Sequence, residues 1–266
     1  MKKLSLVILV LVIASLPVFA EGLASSKATA DISTLVKCKM SSQTINDDGG
    51  AALIPASCVN LFSGASVDTT GQWIEIMSKP MKLSNSQSLI VSPSLVSGLY
   101  TQTRTKTTTG GTSTAQAMGA VYLRAVLVPY DGSAVIVAAP ISSCSGGIFG
   151  CAAPEAGKWG VILDSRVQTL TQELSACVID VTSIPGTNDG SCTFTSIIDL
   201  VLNTASAHTF NFVFPNVGQG VYTIKVYAAV GSGASVVGSG TAVGAAAFGL
   251  GSMTAESVRF VHDFSF

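Results

Sequence analysis

The sequence predicts an all-β protein, an antiparallel β-sandwich of the jelly-roll or immunoglobulin-like kind with disulfide-stapled loops. Apolar and polar residues alternate with a period of two in many segments, which is the pattern of half-buried strands. No window keeps the 3.6-residue period of a helix. The 26 glycines and nine prolines supply frequent turn signals, and many short strands separated by turns are typical of a sandwich or barrel.

The first twenty residues have the pattern of a secretory signal peptide. Two lysines precede an almost unbroken apolar run over residues 4–16, and Val18-Phe19-Ala20 resembles a signal-peptidase site. We expect cleavage after Ala20 and a mature chain that is secreted or held in the cell envelope, at the periplasm or the outer surface. Residues 21–266 are then expected to form one β-sandwich domain, since the alternative boundary near 105–115 is followed by no sign of a new domain.

Composition limits the function classes. Only 11% of residues are charged and the formal net charge is −1, which becomes −3 once Lys2 and Lys3 are removed. Without an excess of basic residues, nucleic-acid binding is not expected. No second apolar run of about 20 residues follows the signal, so we expect no transmembrane helix in the mature chain. A weakly charged surface suits contact with other surfaces, with glycans or with copies of itself.

Six cysteines in an exported chain predict disulfides. Loop closure favours pairing between neighbours in sequence, and each intervening segment is rich in turn residues. The expected bridges are Cys38–Cys58, Cys144–Cys151 and Cys177–Cys192. The alternative, a zinc site, lacks the close Cys-x-x-Cys spacing that such sites use, so no metal or other cofactor is expected.

Two hairpins are predicted. In the first, residues 121–128 and 134–138 flank an Asp-Gly turn, and both faces are apolar, which indicates central strands. In the second, Phe210, Phe212 and Phe214 alternate toward one face, and a turn over 215–220 leads to a return strand with Tyr222, Ile224, Val226 and Ala228 on one face. That hairpin is expected to have one solvated face.

Other predicted strands cover 32–40, 72–77, 87–92, 95–103, 159–164, 167–174, 177–182, 194–202 and 255–264. The Thr/Gly run over 101–114 is predicted to be a mobile loop or a long polar hairpin tip. The Gly/Ala/Ser/Val-rich segment 231–251 contains strand-like islands at 234–237 and 241–248. Its small residues would permit close backbone approach, either between sheets or between molecules.

A possible ligand face is formed by Trp73 and Glu75. In a strand the two side chains lie on one side together with Met77, while Ile74 and Ile76 lie opposite. An aromatic ring beside a carboxylate is how sugar-binding modules stack on a ring and bond its hydroxyls. The structural alternative is a core-facing Trp73 with Glu75 at a sheet edge.

No residue set predicts catalysis. His262 and Asp263 lie on opposite faces of a strand, no G-x-S-x-G motif is present, and His208 is interpreted as a turn or edge residue. The Asp/Asn/Gly clusters at 46–49 and 188–190 are more typical of turns than of calcium sites. We therefore predict that the chain is not an enzyme.

Three hypotheses for function follow. The first is an exported, non-catalytic β-sandwich that acts by contact, as a surface, matrix or adhesion component. The second is a carbohydrate-binding module or weak glycosidase that uses the Trp73/Glu75 face. The third is an outer-membrane β-barrel, because the C-terminal strand alternates Val258, Phe260, His262, Phe264 and Phe266, although aromatic residues total only 7%.

Overall fold

The described part of the chain consists of strands and their connections, and no helix occurs in it. The structure is a computed structural model, and it describes residues 27–47, 66–67, 73–138, 160–175, 177–179, 190–192 and 194–259. The all-β prediction is confirmed. The predicted signal peptide, Cys58, Cys144, Cys151 and the terminal Phe260–Phe266 strand lie outside the described residues.

Two sheets face each other. Sheet A has seven strands, β1 (Ala28–Ser33), β2 (Lys37–Ile45), β3 (Ser66–Val67), β5 (Gln87–Thr108), β11 (Thr195–Thr209), β12 (Phe212–Val217) and β14 (Gly240–Val258). Sheet B has five, β4 (Ile74–Leu83), β6 (Thr112–Pro129), β7 (Ile136–Val137), β8 (Val161–Glu173) and β13 (Gly220–Val237). A separate pair joins β9 (Cys177–Ile179) to β10 (Gly190–Cys192).

The strand order in sheet A is β11-β5-β14-β2-β3, with β12 also on β5 and β1 also on β14. In sheet B it is β4-β13-β6-β7, with β8 also on β6. Every pair is antiparallel except the two-residue β2–β3 pair, which is parallel. Two antiparallel sheets packed face to face agree with the predicted β-sandwich.

The connections β5–β6 and β13–β14 each carry the chain from one sheet to the other. In the first, the amide of Gly111 donates to the carbonyl of Thr108 at 2.9 Å, and Gly110 has a φ of 77°, which glycine adopts without strain. Residues 109–111 thus form the turn, and the rest of the segment 101–114 belongs to the two long strands, contrary to the predicted loop. The tip around Gly110 is exposed, whereas Thr101, Thr103, Thr105 and Thr107 before it are buried.

The predicted Asp-Gly hairpin is present, with a wider loop than a two-residue turn. Val126 pairs with Val137 and Leu127 with Ile136, and Gly132 at the turn has a φ of 79°. The predicted central position is correct for β6, which lies between β13 on one side and β7 and β8 on the other.

For the predicted phenylalanine hairpin, the buried faces of the two strands are confirmed, but the prediction that the two strands pair with each other is wrong. Phe212 and Phe214 are buried, and so are Tyr222, Ile224, Val226 and Ala228. However, β12 pairs with β5 in sheet A, whereas β13 pairs with β4 and β6 in sheet B. Because both strands direct apolar side chains into the space between the sheets, the turn over 215–220 connects the two layers.

Several predicted strand boundaries are also corrected. The predicted strands 87–92 and 95–103 are one strand, β5, and 159–164 and 167–174 are one strand, β8. The predicted strand 32–40 is two strands, β1 and β2, separated by residues 34–36. Pairing with long neighbouring strands keeps the backbone extended through residues whose local sequence predicts the end of a strand.

The apolar core fills one part of the space between the sheets. Its largest fully buried side chains include Phe214, Phe248, Met81, Leu89, Leu95, Leu99, Leu123, Leu127 and Ile224. Elsewhere the sheets approach through small residues, mainly Ala115, Ala117 and Gly119 on β6 and Ala242, Gly244 and Ala246 on β14. A Cβ on Gly244 would lie 2.2 Å from the carbonyl oxygen of Met118. The prediction that segment 231–251 allows close backbone approach is confirmed, and the approach is between sheets.

A polar layer separates β5 from β8. Gln168 accepts a hydrogen bond from Thr101 at 2.7 Å and donates to Thr103 at 2.6 Å. Thr105 donates to the side-chain oxygen Oε1 of Gln172 at 2.9 Å. The three threonines are fully buried, so their hydroxyls need these partners. The Thr-rich run is therefore part of the interior.

Candidate functional site

The predicted Trp73/Glu75 face lies on the outer side of sheet B, at the start of β4. The β4–β13 register pairs Met77 with Val226 and Glu75 with Tyr227, so Ile76 is an extra residue in a β-bulge. The bulge breaks the simple alternation. Met77 and Ile76 are both buried in the core, while Glu75 is exposed and Trp73 is half-buried. Met77 therefore does not share the face of Glu75, contrary to the prediction.

Arg124 occupies the centre of this face. Its guanidinium carbon lies 4.8 Å from the ring centroid of Trp73 and 4.6 Å from that of Tyr227, so one cation stacks between two aromatic rings. Burial lowers the pKa of Arg124 from its usual value, partly offset by the nearby Tyr227. Tyr122 meets Trp73 edge to face at 6.5 Å.

Both predicted ligand residues already have partners in the chain. The Glu75 carboxylate accepts a hydrogen bond from Lys225 Nζ at 2.9 Å and a longer one, 3.4 Å, from the hydroxyl of Tyr227. The bond to Glu75 raises the pKa of Lys225. Trp73 is also covered at Gly160, where a Cβ would lie 2.4 Å from the indole ring. The structure brings Trp73 and Glu75 to one outward face, where neither is an open platform.

A second polar cluster joins three strands between the sheets. Ser97 on β5 donates to the carboxylate of Asp164 on β8 at 2.5 Å. On β11, the Nε2 atom of His208 lies 2.6 Å from the hydroxyl of Ser206 and 3.4 Å from the same carboxylate. A Ser-His-Asp relay uses the two different imidazole nitrogens for the serine and the aspartate. Here one nitrogen contacts both groups, so the cluster does not have relay geometry.

His208 lies on an edge strand, as predicted. Sequence analysis did not predict the cluster, because Ser97, Asp164 and His208 come from segments more than 40 residues apart in sequence. No local spacing connects them, and only the β5–β11 register and the packing of β8 bring them together.

The longest contiguous run of exposed large apolar side chains in the described part of the chain lies on β11. Its sequence Ile197-Ile198-Asp199-Leu200-Val201-Leu202 places large apolar side chains on both faces, and each is between 42% and 50% exposed. The strand pairs with β5 along one side without a register shift. Its other edge has no strand partner in the described part of the chain. Sequence analysis predicted the strand, but an apolar run on both faces is more typical of a central strand than of an edge.

The cysteines are only partly described. Cys38 is fully buried on β2, and none of the described cysteines is free. The backbone register of β9 and β10 places Cys177 directly opposite Cys192.

Metal binding has no candidate within the described ranges, where no group of three or more His, Cys, Asp or Glu side chains comes together. Asp47, from the Asp/Asn/Gly cluster at 46–49, contacts Arg104 at 3.1 Å and accepts a hydrogen bond from Thr241 at 2.9 Å. The other cluster, at 188–190, lies almost entirely outside the described residues. Within the described residues, no helix is long and apolar enough to cross a membrane.

Comparisons with known proteins identify no family for this chain. No protein-family model matches the chain, and no curated protein sequence matches it. Among solved structures, a structure of the infectious bursal disease virus Gx strain is similar at 12% identity and a TM-score of 0.22, over 87% of this chain and 38% of the other. A Gt strain structure is similar at 12% identity and a TM-score of 0.13, over 89% and 43%. The chain thus spans less than half of each, and scores of this size support no statement about the fold or function of this chain.

Proposed function

We propose that this chain is an exported, non-catalytic β-sandwich that acts by contact, as a surface, matrix or adhesion component. The observation that carries the proposal is the exposed edge strand β11. A soluble monomer seldom exposes contiguous large apolar side chains, and such patches mark interaction sites. Here the patch coincides with a strand edge that has no strand partner among the described residues, and the backbone groups of such an edge offer hydrogen bonds to another chain.

Two further observations support a contact role. Charged residues are 11% of the chain, against roughly 25% in typical soluble domains, so little electrostatic repulsion opposes association. The polar cluster at His208 lacks relay geometry because one imidazole nitrogen contacts both Ser206 and Asp164. That arrangement favours a structural role for the cluster over proton transfer.

Export and oxidised cysteines are part of the proposal. The signal-like N-terminus supports cleavage after Ala20 and residence outside the cytosol. We propose the pairs Cys38–Cys58, Cys144–Cys151 and Cys177–Cys192, and the opposed positions of Cys177 and Cys192 support the last of them. Peptide mapping without reducing agent should recover these three linked peptides. Recovery of any other pairing would contradict the bridge assignment without touching the contact role.

Carbohydrate binding is the second candidate, because Trp73 and Glu75 do share the outward face of sheet B. Stacking on Trp73 would require a sugar to displace Arg124 or to use the ring area left uncovered. Glycan-array binding that disappears in Trp73→Ala and persists in Val201→Lys would favour this candidate. If neither the wild-type chain nor the Val201→Lys variant binds any glycan, the carbohydrate-binding candidate is contradicted and the contact role remains.

The contact role is tested by fractionating the native host. The wild-type chain should be found outside the cytosol, without residues 1–20, and attached to the cell surface or matrix. Val201→Lys should be exported equally but released into the soluble fraction, because a lysine on a strand edge opposes pairing. The control Ile162→Lys, whose side chain is 48% exposed compared with 50% for Val201, should remain attached. A cytosolic wild-type chain with its N-terminus intact would refute the proposal.

A further inference from the structure

The long edges of the two sheets are not protected equally. Natural proteins protect free strand edges with lysine, proline, bulges or inward charges. The free edge of β4 carries Lys79, Pro80 and Lys82. In addition, the amide of Ser78 donates to the carboxylate of Asp31 at 2.9 Å, which caps a backbone donor of that edge.

The other described edges carry similar devices. β8 contains Asp164, Arg166 and Glu173 and has a register shift against β6 between Val121 and Tyr122. β2 contains two lysines, and β12 is six residues long with a proline and a register shift. These features make each strand a poor template for a second chain.

Of these devices β11 carries only one carboxylate, Asp199. Its 15 residues contain no Lys, Arg, Pro or Gly, and its pairing with β5 is continuous. The outward edge is therefore long and regular, and it is flanked by exposed apolar side chains. In the described part of the chain the other long edges are protected and this one has no strand partner, which gives β11 a strand-shaped binding site.

We infer that the occupant of this site is β11 of a second copy of the same chain, paired antiparallel about a two-fold axis. This inference rests on the proposed contact role and names its partner. An isologous pair uses both free edges at once, so association stops at a dimer. The axis is perpendicular to the sheet, because only that axis pairs two β11 strands antiparallel with their faces matched.

Side-chain complementarity selects the register. With Val201 on the axis, Leu200 lies opposite Leu202 of the second copy and Asp199 lies opposite Asn203 of the second copy. Asp199, Val201 and Asn203 share one face because strand side chains alternate. Asp199 already accepts hydrogen bonds from Gln102 at 3.2 Å, and a carboxylate has further acceptor sites for the Asn203 amide. No like charges are opposed in this register.

The same geometry excludes the register two residues away, in which the axis passes through Asp199. Two carboxylates would then face each other directly, and like charges opposite one another destabilise a strand pair. Val201 is therefore favoured over Asp199 as the axial residue.

The test measures dimerisation of the mature exported chain by sedimentation over a range of concentrations. We expect a monomer–dimer equilibrium for the wild type. At concentrations where the wild type is dimeric, Val201→Lys should be monomeric and Ile162→Lys should remain a dimer. Far-ultraviolet circular dichroism checks that each variant keeps its strands.

A second pair of variants tests the register at one position. Asn203→Lys faces Asp199 of the second copy, so the dimer should be retained or tightened. In Asn203→Asp the new carboxylate faces Asp199 of the second copy, and symmetry repeats this repulsive pair on the other side of the axis. The dissociation constant of the dimer should therefore rise by about tenfold. Equal dissociation constants for the two variants would overturn the register. A monomeric wild type that still attaches to the envelope through β11 would overturn the second copy as partner and leave the contact role standing.

Discussion

Close packing of the two sheets at Gly244 predicts a large loss of stability on adding a single methyl group. The Cβ of Gly244→Ala would lie 2.2 Å from the carbonyl oxygen of Met118, 2.4 Å from that of Gly233 and 2.8 Å from the amide nitrogen of Met118. All three atoms are backbone, so no side-chain rotation can relieve the contact. β14 must move away from both β6 and β13.

The magnitude follows from the number of strands that have to shift. Overpacking a well-packed interior typically costs 1–3 kcal/mol. Because backbone atoms of two strands are displaced here, we expect about 3 kcal/mol less free energy of unfolding. Separating the sheets would also loosen the neighbouring cluster of small buried residues that contains Ala115, Ala117 and Ala242.

Urea unfolding followed by circular dichroism measures this change, with an unchanged m-value showing that the unfolding transition exposes the same surface. Gly218→Ala is the matched control. Its Cβ would meet nothing closer than the Tyr222 hydroxyl at 3.7 Å, and its φ is not positive. The control should range from unchanged to about 1 kcal/mol more stable, since alanine restricts the unfolded chain. If Gly244→Ala is as stable as Gly218→Ala, the close approach of the sheets is wrong.

Two more predictions concern buried polar groups. Gln168→Leu removes the hydrogen-bond partner of the Thr101 and Thr103 hydroxyls and of the Leu200 carbonyl, so we expect the free energy of unfolding in urea to fall by about 2 kcal/mol. The control Gln116→Leu, at a more exposed position, should lose almost none. Equal losses in the two variants would contradict a fully hydrogen-bonded polar layer. Burial raises the pKa of Tyr100 and Tyr122 above the usual 10.0. The folded chain then holds these phenol protons more tightly than the unfolded chain. The resulting stabilisation is complete below pH 10 and is lost as the pH rises through the raised pKa values. Stability measured in urea should therefore fall less steeply above pH 10 in the double variant Tyr100→Phe/Tyr122→Phe than in the wild type, and parallel curves would refute the shift.

The sequence predicted which residues face the interior better than it predicted which strands pair. The alternation of Phe212 and Phe214, and of Tyr222 and Ile224, identified buried faces correctly. Alternation reports only that one face is apolar. It does not distinguish a hairpin within one sheet from a connection between two sheets, because both bury the same side chains. The pairing of β12 with β5 depends on residues more than 120 positions away.

The candidate sites were predictable to different degrees. Trp73 and Glu75 were placed on one face from spacing alone, and the structure agrees. Arg124, which fills the space between Trp73 and Tyr227, could not be predicted, because it comes from β6 and meets them only through the sheet register. Met77 was assigned to the wrong face because a single-residue bulge at Ile76 has no clear sequence signal.

The edge strand shows why a local pattern can indicate the opposite environment. Apolar residues on both faces of 197–202 suggest a strand covered on both sides, whereas these side chains are 42–50% exposed and the outer edge of β11 has no strand partner in the described part of the chain. If the local pattern reflects the functional environment, the missing cover comes from another molecule. The protected edge of β4 in the same chain argues that the open edge of β11 is not a general feature of this sheet architecture. Side chains that look misplaced in the single chain are then consistent with a strand that is central only in an assembly.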